Sequence, residues 1–524
     1  MSNFRYRSIQ ILIALAFLAI LGRLFQFQIL NGQKYSAYIK RYGQTYKISP
    51  ARAEIVDRND KVLALDLMKY TLEYNPVTTS EDRGMLAFKL EQMIDLKDPE
   101  DLNASYSKTL AHGLSREQAN KIRKLDSKLL YLRQVRRRFY PQDELASHVL
   151  GYVDLYGQAR QGIEADYQKR LEEDSENKLR LSLDSRLQVF AETELKKRIA
   201  ETKAARGTVL LMEVATGQMM AMATSPGFNP NNYFDFSLSQ IKNWPLVDVY
   251  QPGSIFKIVT VASALESGTI DLSHRFVDEG FLEIDKWKIK NHEYKLGKTE
   301  AEELNLQNLF ERSSNTFAAH LALAMGPKVF HDQISKFGFG QKTGIELSGE
   351  SKGILLKHKK WRKSDTATTG MGHGAISVTP LQLLAAANVI ANDGHWARPT
   401  LFLDSKQPLA EELEPIISAE HAYSIRNLLA RAIDHNLKFK SSVAGRVDNL
   451  TIAGKTGTAE KIKAGGGYSK KETVASFLGF FPAYNPKYIA LVVIDDPKTD
   501  GRWGDTVAGP LFNKIAAYTR DLYL

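Results

Sequence analysis

The sequence predicts an α+β chain: an N-terminal apolar span, an elongated α+β module, and a larger region where one antiparallel sheet packs against helices. Three observations predict it. Apolar residues dominate from Ile9 to Leu30; residues 31 to 178 are mixed and charged, with short alternating stretches; from 179 onward, strand-like runs bracket long helical ones.

At 524 residues the chain is long enough for two or three domains, and 43% hydrophobic with 25% charged residues is ordinary globular composition. The formal charge is +10 (70 basic against 60 acidic residues) and is spread along the chain. Its densest cluster, Arg133, Arg136, Arg137 and Arg138, is read as a solvated face in preference to a binding patch. No zinc-finger spacing or other nucleic-acid motif occurs, so nucleic acid is not expected as a partner. The absence of cysteine excludes disulfides, thiolate metal sites and a Cys nucleophile.

Taken in order, the first element is a tail of residues 1–7 followed by an apolar span at 8–30. The uninterrupted part, Ile11 to Gly22, is about half of what a spanning helix needs, and Arg23, Gln26 and Gln28 weaken the rest. A cleaved signal peptide competes with an uncleaved anchor. The anchor is preferred because no small-x-small site closes the run and Leu24, Phe25, Phe27, Ile29 and Leu30 continue it. Positive charges flank both sides, so their count does not set the orientation.

The second element, 31–178, carries turn signals at Asn59-Asp60 and Asn75-Pro76, and strand-like alternation from Glu54 to Leu65. The third is 179–524. Leu187 to Ile199 has helical spacing; Thr208 to Val214 and Met219 to Thr224 read as a hairpin joined by Ala215-Thr-Gly-Gln218. Leu450 to Ala453, Val474 to Phe481 and Tyr488 to Asp495 read as three more strands, with helices at Ser254 to Leu265 and Pro380 to Asn392 between the two sets.

The chemistry centres on Gln251-Pro-Gly-Ser-Ile-Phe-Lys257. Pro252-Gly253 signals a turn, which puts Ser254 in the first turn of a helix that is apolar on nearly every side. Three-residue spacing brings Lys257 onto the face of Ser254. A buried lysine near other cations loses its proton readily and can act as base for the hydroxyl. The same Ser-x-x-Lys pattern recurs at Ser105/Lys108, Ser175/Lys178 and Ser239/Lys242, so pattern alone does not choose among four matches. Two further elements favour Ser254. Ser313-Ser314-Asn315 can set a hydroxyl and an amide opposite the pair. Lys455-Thr456-Gly457-Thr458 continues a strand begun at Thr451, and Gly457 would let substrate backbone approach closely. A second Lys-Thr-Gly, at 342–344, lies in a glycine-rich context and reads as a turn.

Ser-x-x-Lys, Ser-x-Asn and Lys-Thr-Gly in that order are the arrangement of penicillin-binding proteins and serine β-lactamases. The chain closely resembles class B penicillin-binding proteins over nearly its full length. Arg52-Ala-Glu-Ile-Val-Asp57-Arg58, Arg138-Phe-Tyr-Pro141, His148, Gly151 and Gly162-Ile163-Glu164 are similar to the family's pedestal motifs; Gly207-Thr-Val, Gly344-Ile-Glu and Val378-Thr-Pro-Leu-Gln382 are similar to its transpeptidase stretches. Ala53 and Asp60 replace usual glycines, which implies altered pedestal loops. No Glu-Asp-x-x-Phe glycosyltransferase signature precedes the transpeptidase region.

The resemblance implies a penicillin-binding/β-lactamase-like fold with a five-stranded antiparallel sheet at 179–524, behind a pedestal (dimerisation-type) domain at 31–178. It implies a D,D-transpeptidase that needs no cofactor and no metal. Ser254 attacks the carbonyl between two D-alanines of a stem peptide, with Lys257 as base. Ser313 passes the proton to the departing D-alanine, Asn315 binds the substrate amide, and Lys455 supports the proton network. Thr456 and Thr458 bind the terminal carboxylate beside Gly457, and the N–H groups of Ser254 and Thr458 form the oxyanion hole. It further implies β-lactams as inhibitors, a polytopic SEDS-type glycosyltransferase as partner, and a single-pass inner-membrane protein with its large part outside the cytoplasm. The septal, FtsI-type subgroup is favoured over the elongation type on the Val378–Gln382 and Ala475–Pro482 stretches.

A β-lactamase or β-lactam sensor is disfavoured. Glu302-Glu303-Leu304-Asn305 superficially resembles the deacylation element of class A enzymes but precedes Ser313, and is read as a helix start. A silent scaffold is disfavoured by the intact motif residues. His373 is read as a structural histidine rather than a cleft residue, His292 and His331 as lacking ligand-spaced partners, Asp495-Asp496 as a turn cap, and Gly465-Gly-Gly467 as a loop.

Overall fold

The computed structural model describes residues 2–26 and 51–524, apart from 78, 97, 176, 285–286, 292–293, 295–299, 406–412, 441, 463–466 and 500. The chain divides into Met1–Pro50 and Ala51–Leu524. In the first unit, α1 spans Ser2–Phe25, and Arg23 in its last turn donates to Gln26 Oε1 at 2.6 Å. Among the described residues no helix is long and apolar enough to cross a membrane. The expected span at 8–30 therefore stands only as a helix to Phe25; residues 27–30 lie outside the described part, as do His292 and Gly465-Gly466.

In the second unit, five strands form one sheet: β1 (Glu54–Val56), β2 (Val62–Tyr74), β3 (Lys108–Leu114), β4 (Leu130–Phe139) and β5 (Lys178–Arg180), with β2 at its hub. Asp57 Oδ1 accepts the N–H groups of Asn59 and Lys61, and Asp60 takes φ +61°, closing the β1–β2 turn in the left-handed geometry that a short polar side chain tolerates. The boundary drawn at 178/179 falls inside β5, which pairs in parallel with β1.

The arginine cluster on β4 is not a solvated face. The Arg138 side chain is 1% exposed, donating to Glu164 at 2.5 Å and Asp66 at 3.1 Å; Arg52 donates to the same fully buried Glu164 at 3.4 Å. Arg133 pairs with Glu73, and Arg137 donates to the Leu155 carbonyl. The acidic partners lie on β2 or more than twenty residues downstream, so charge density along β4 could not reveal them.

The larger sheet runs in the order β8–β9–β10–β6–β7 in space once its strands are named: β6 (Arg206–Glu213), β7 (Met219–Ser225), β8 (Ala453–Ile462), β9 (Tyr468–Phe481) and β10 (Tyr488–Asp495), all antiparallel. Successive residues point to opposite faces. Val209 and Leu211 join one buried cluster with Leu195 and Phe512, whereas Leu210 and Met212 join another with Phe256 and Leu384. Both faces are thus covered, which is why these strands read as nearly continuous apolar runs rather than clean alternation. The first face carries α2 (Ser185–Thr202) and a C-terminal helix (Gly509–Tyr523).

The second face carries the helical region. A 3₁₀ turn, Gly253–Phe256, opens α3 (Lys257–Glu266), whose Ile258, Val259, Val261, Ala262 and Leu265 are all buried. Next come α4 (Leu306–Arg312), α5 (Asn315–Lys336) and α6 (Pro380–Ala391). Two sequence expectations shift here. Glu302–Asn305 is a strand, with Asn305 capping α4 through a capping box with Asn308, so the helix starts one residue after the expected segment ends. The strand expected from Leu450 starts at Ala453 and runs on to Ile462.

Candidate active site

Ser254 lies in the 3₁₀ turn ahead of α3, half-buried, and Lys257 follows one turn later with no exposure at all. Gly253 holds φ +59° to make this start possible. Its N–H donates to Gly372 O at 3.1 Å, and a Cβ on Gly253 would sit 3.0 Å from Thr458 O. A Cβ on Gly372, itself at φ +83°, would lie 2.1 Å from Gly253 O. Two glycines therefore let three segments meet: the Ser254 turn, the Gly370–Gly374 turn and strand β8.

Lys257 Nζ faces Ser313 O at 2.6 Å, Ser313 Oγ at 3.2 Å and Asn315 Oδ1 at 2.7 Å. It has no carboxylate partner among the described residues. Burial, reinforced by the charge of nearby Lys455, holds its ammonium form well below the ordinary lysine value. The other three Ser-x-x-Lys lysines differ in kind. Lys108 pairs with Asp101, Lys178 with Glu54 and Lys242 with Asp248, and all three are a third or more exposed. Of the four, Lys257 alone is fully buried and away from any described carboxylate, and its proton affinity is lowered by that burial.

Ser313 supplies its contacts from φ +54°, as the residue that ends α4. A non-glycine residue in this region is strained, and here the strain presents both a carbonyl and a hydroxyl to one amine. Ser314 caps α5, accepting from Phe317 N at 3.1 Å, and Asn315 opens that helix.

Lys455, Thr456, Gly457 and Thr458 lie on β8, the edge strand of the sheet, whose inner neighbour is β9. An edge strand can take an extended chain as an added strand. Lys455 is buried and pulled down to about 8 by desolvation, with Asp505 acting in the opposite sense. Gly457 also has a packing purpose. A Cβ there would meet Ser476 Oγ at 2.4 Å and Ile255 Cγ1 at 3.0 Å, so the glycine admits the Ser254 turn. Thr458 Oγ1 accepts from Gly504 N at 3.0 Å, which leaves its hydroxyl proton free to donate. The second Lys-Thr-Gly is a loop in which Thr343 is tied to Glu350.

His373 sits on the turn bonded to Gly253, edge-on to Tyr468 (5.9 Å between rings), with burial and the Lys257 charge pushing it down to about 4. The structure thus puts it beside the Ser–Lys pair. Asp495 closes β10 and binds Arg206 at 2.9 Å and Lys461 at 2.7 Å. His331 does gain a partner, because His358 folds against it and Asp332, with their ligand atoms within 4.8 Å of one another. That cluster shares no residue with the Ser254 centre, and Lys328 occupies Asp332 at 2.7 Å. Sequence reasoning missed Asp278 and Asn291, which hold the start of α5; neither belongs to a motif, and both lie more than twenty residues before Asn315.

Comparison with known proteins follows the same outline. Residues 207–517 match the penicillin binding protein transpeptidase domain, and residues 47–188 the penicillin-binding protein dimerisation domain. Stage V sporulation protein D of Bacillus subtilis is 30% identical, over 96% of this chain and 83% of its own. Peptidoglycan D,D-transpeptidase FtsI of Escherichia coli is 29% identical, over 96% and 89%. The crystal structure of penicillin binding protein 2X from Streptococcus thermophilus superposes with a TM-score of 0.72 at 21% identity, covering 91% of this chain and 80% of that one.

Proposed function

The chain belongs to the class B penicillin-binding proteins, and from that premise we propose that it cross-links peptidoglycan stem peptides through an acyl-Ser254 intermediate. The observation that carries this reading is the environment of Lys257, a fully buried amine one turn from Ser254, bonded to Ser313 and Asn315 and, among the described residues, to no carboxylate.

Neutral Lys257 takes the proton of Ser254 as Oγ attacks the carbonyl between the two D-alanines. The N–H groups of Ser254 and Thr458, on segments that meet at Gly253, receive the developing oxyanion. Ser313 Oγ, 3.2 Å from Lys257 Nζ, hands the proton to the departing amine as the C–N bond breaks, and D-alanine leaves. An amine from a neighbouring stem peptide then attacks the acyl ester, returning the proton to Ser254. Asn315 binds the substrate amide; the charge of Lys455 supports the proton network, and Thr456 and Thr458 bind the terminal carboxylate at the β8 edge. A β-lactam supplies a strained amide to the same nucleophile.

We assign residues 31–178 as a pedestal and 179–524 as the transpeptidase domain, with 8–30 as an anchor that keeps both outside the cytoplasmic membrane. A septal role is supported by the likeness to FtsI, and the partner we assign to that role is a SEDS-type glycosyltransferase. Depletion giving filamentous cells supports that role, and rounded cells exclude it. The central test is mass spectrometry of the protein after reaction with penicillin: the adduct is expected on Ser254 and absent in Ser254→Ala. An adduct on any other serine refutes the site.

A further inference from the structure

Four donors converge on one carboxylate behind the Ser254 centre. Asp278 ends a strand (Arg275–Asp278) paired with Glu302–Asn305, and is 5% exposed. Its Oδ1 accepts from Gly280 N at 2.8 Å. Its Oδ2 accepts from Asn291 Nδ2 at 2.7 Å, Ser314 Oγ at 2.8 Å and Thr316 Oγ1 at 2.8 Å. Asn291 follows the strand Trp287–Lys290 and donates its own N–H to Gly280 O at 3.0 Å, so one turn gathers both side chains.

A carboxylate only accepts, which forces the Asn291 NH₂ toward Asp278 and its oxygen the other way. That oxygen accepts from Asn315 N at 2.7 Å and Thr316 N at 3.2 Å, two free N–H groups at the start of α5. Asn315 Nδ2 in turn donates to Lys290 O at 3.1 Å, which leaves Asn315 Oδ1 facing Lys257 Nζ at 2.7 Å. Every amide orientation between Asp278 and Lys257 is thus set by its neighbour.

We propose that Asp278 and Asn291 are a positioning pair that aims Asn315 and Ser313 at Lys257 and so sets the rate at which Ser254 is acylated. The pair touches no reacting atom and works through α5. This rests on Ser254 and Lys257 acting as proposed above.

The donor–acceptor pattern supplies its own test in near-isosteric changes. Asp278→Asn forces a donor–donor contact, with either Asn291 Nδ2 or Gly280 N, or, if Asn291 flips, with the N–H groups of Asn315 and Thr316. Asn291→Asp opposes two carboxylates. The exchanged double variant, Asp278→Asn with Asn291→Asp, restores a donor facing an acceptor, because the Ser314 and Thr316 hydroxyls can reverse direction. Acylation of the full-length protein by a fluorescent penicillin is measured across pH, together with thermal melting. Each single change is expected to slow acylation about 10- to 100-fold, the loss that follows a small misplacement of reacting groups. Asp278→Asn is also expected to move the acid limb of the profile to lower pH, since Lys257 then loses an acceptor for its charged form. The exchange is expected to recover to within about threefold of wild type. Lower melting with unchanged rate and pH profile would make the pair merely structural and overturn the proposal. So would a double variant that melts like wild type yet acylates as slowly as the singles. Should the singles fail to fold, the double variant alone decides between these outcomes. The wild-type adduct separates the two levels: labelling away from Ser254 refutes the site, whereas labelling at Ser254 with insensitive variants refutes only the pair.

Discussion

Lys257 and Asn315, 58 positions apart in the chain, meet at 2.7 Å between Nζ and Oδ1 in a buried site where no carboxylate pairs with the lysine among the described residues. A lysine buried this way is held by neutral acceptors, which orient it without stabilising its charge as strongly as an ion pair would.

Lys257→Met is therefore expected to abolish most acylation, by about 10³-fold or more, while the fold persists. The substitution removes a buried amine but leaves the Ser313 carbonyl short of a donor, at a cost of about 1–3 kcal/mol. Penicillin labelling kinetics and a melting curve measure the two effects separately. Labelling at the wild-type rate would remove Lys257 from the mechanism.

Activity should follow a bell in pH. The acid limb reports Lys257 losing its proton, and the alkaline limb reports Lys455 losing its charge near about 8. Lys455→Met should erase the alkaline limb and shift the acid limb to higher pH, because the charge that helps depress Lys257 is gone. Stability carries the same signature. Between about 8 and 10.5 the unfolded chain binds more protons at Lys455 than the folded one, so the unfolding free energy rises with pH across that window. Below about 8 both states hold the Lys455 proton and its contribution to the dependence stops, leaving that of the depressed Lys257. Denaturant titrations of wild type and Lys455→Met at pH 7, 9 and 10.5 check the sign.

Gly457→Ala should damage folding and geometry together. The new Cβ would meet Ser476 Oγ and Ile255, both buried, costing about 1–3 kcal/mol and pushing the Ser254 turn away from β8. Adding Ser476→Gly should recover part of the melting temperature. If Gly457→Ala melts and acylates like wild type, close packing is not why glycine stands there.

Glu164→Gln should unfold the N-terminal module first. Its carboxylate is fully buried between Arg52, Arg138 and Tyr140, and breaking such a pair leaves uncompensated charge at about 3–5 kcal/mol. Limited proteolysis should cut the module sooner, with Ser254 still labelled at an unchanged rate per folded molecule.

Elements whose signal is local were readable along the chain. Tyr488–Asp495 is the strand that its uninterrupted apolar run predicts, and Pro380–Ala391 is the helix, which opens on the Thr379–Gln382 capping box with Pro380 in its first turn. Glu302–Asn305 was not readable, since its strand pairing is with residues 275–278 and its acidic start imitates a helix N-terminus. The arginines of β4 misled for a similar reason: a dense basic run looks solvated until its partners fold onto it.

Ser254 and Lys257 form a pair by sequence alone, because three-residue spacing in a helical turn dictates it, and the later Ser-x-Asn and Lys-Thr-Gly stretches come in an order that local chemistry makes meaningful. Three identical spacings elsewhere in the chain lacked nothing at that level. Tertiary structure separated them by burying one lysine against neutral oxygens and leaving the others in solvent beside carboxylates. It also gave Gly457 a packing role that the sequence did not show, and brought Asp278 and Asn291 behind Asn315. Proton affinity and amide orientation depend on what surrounds a group in three dimensions, and residues far apart in the chain supply those surroundings.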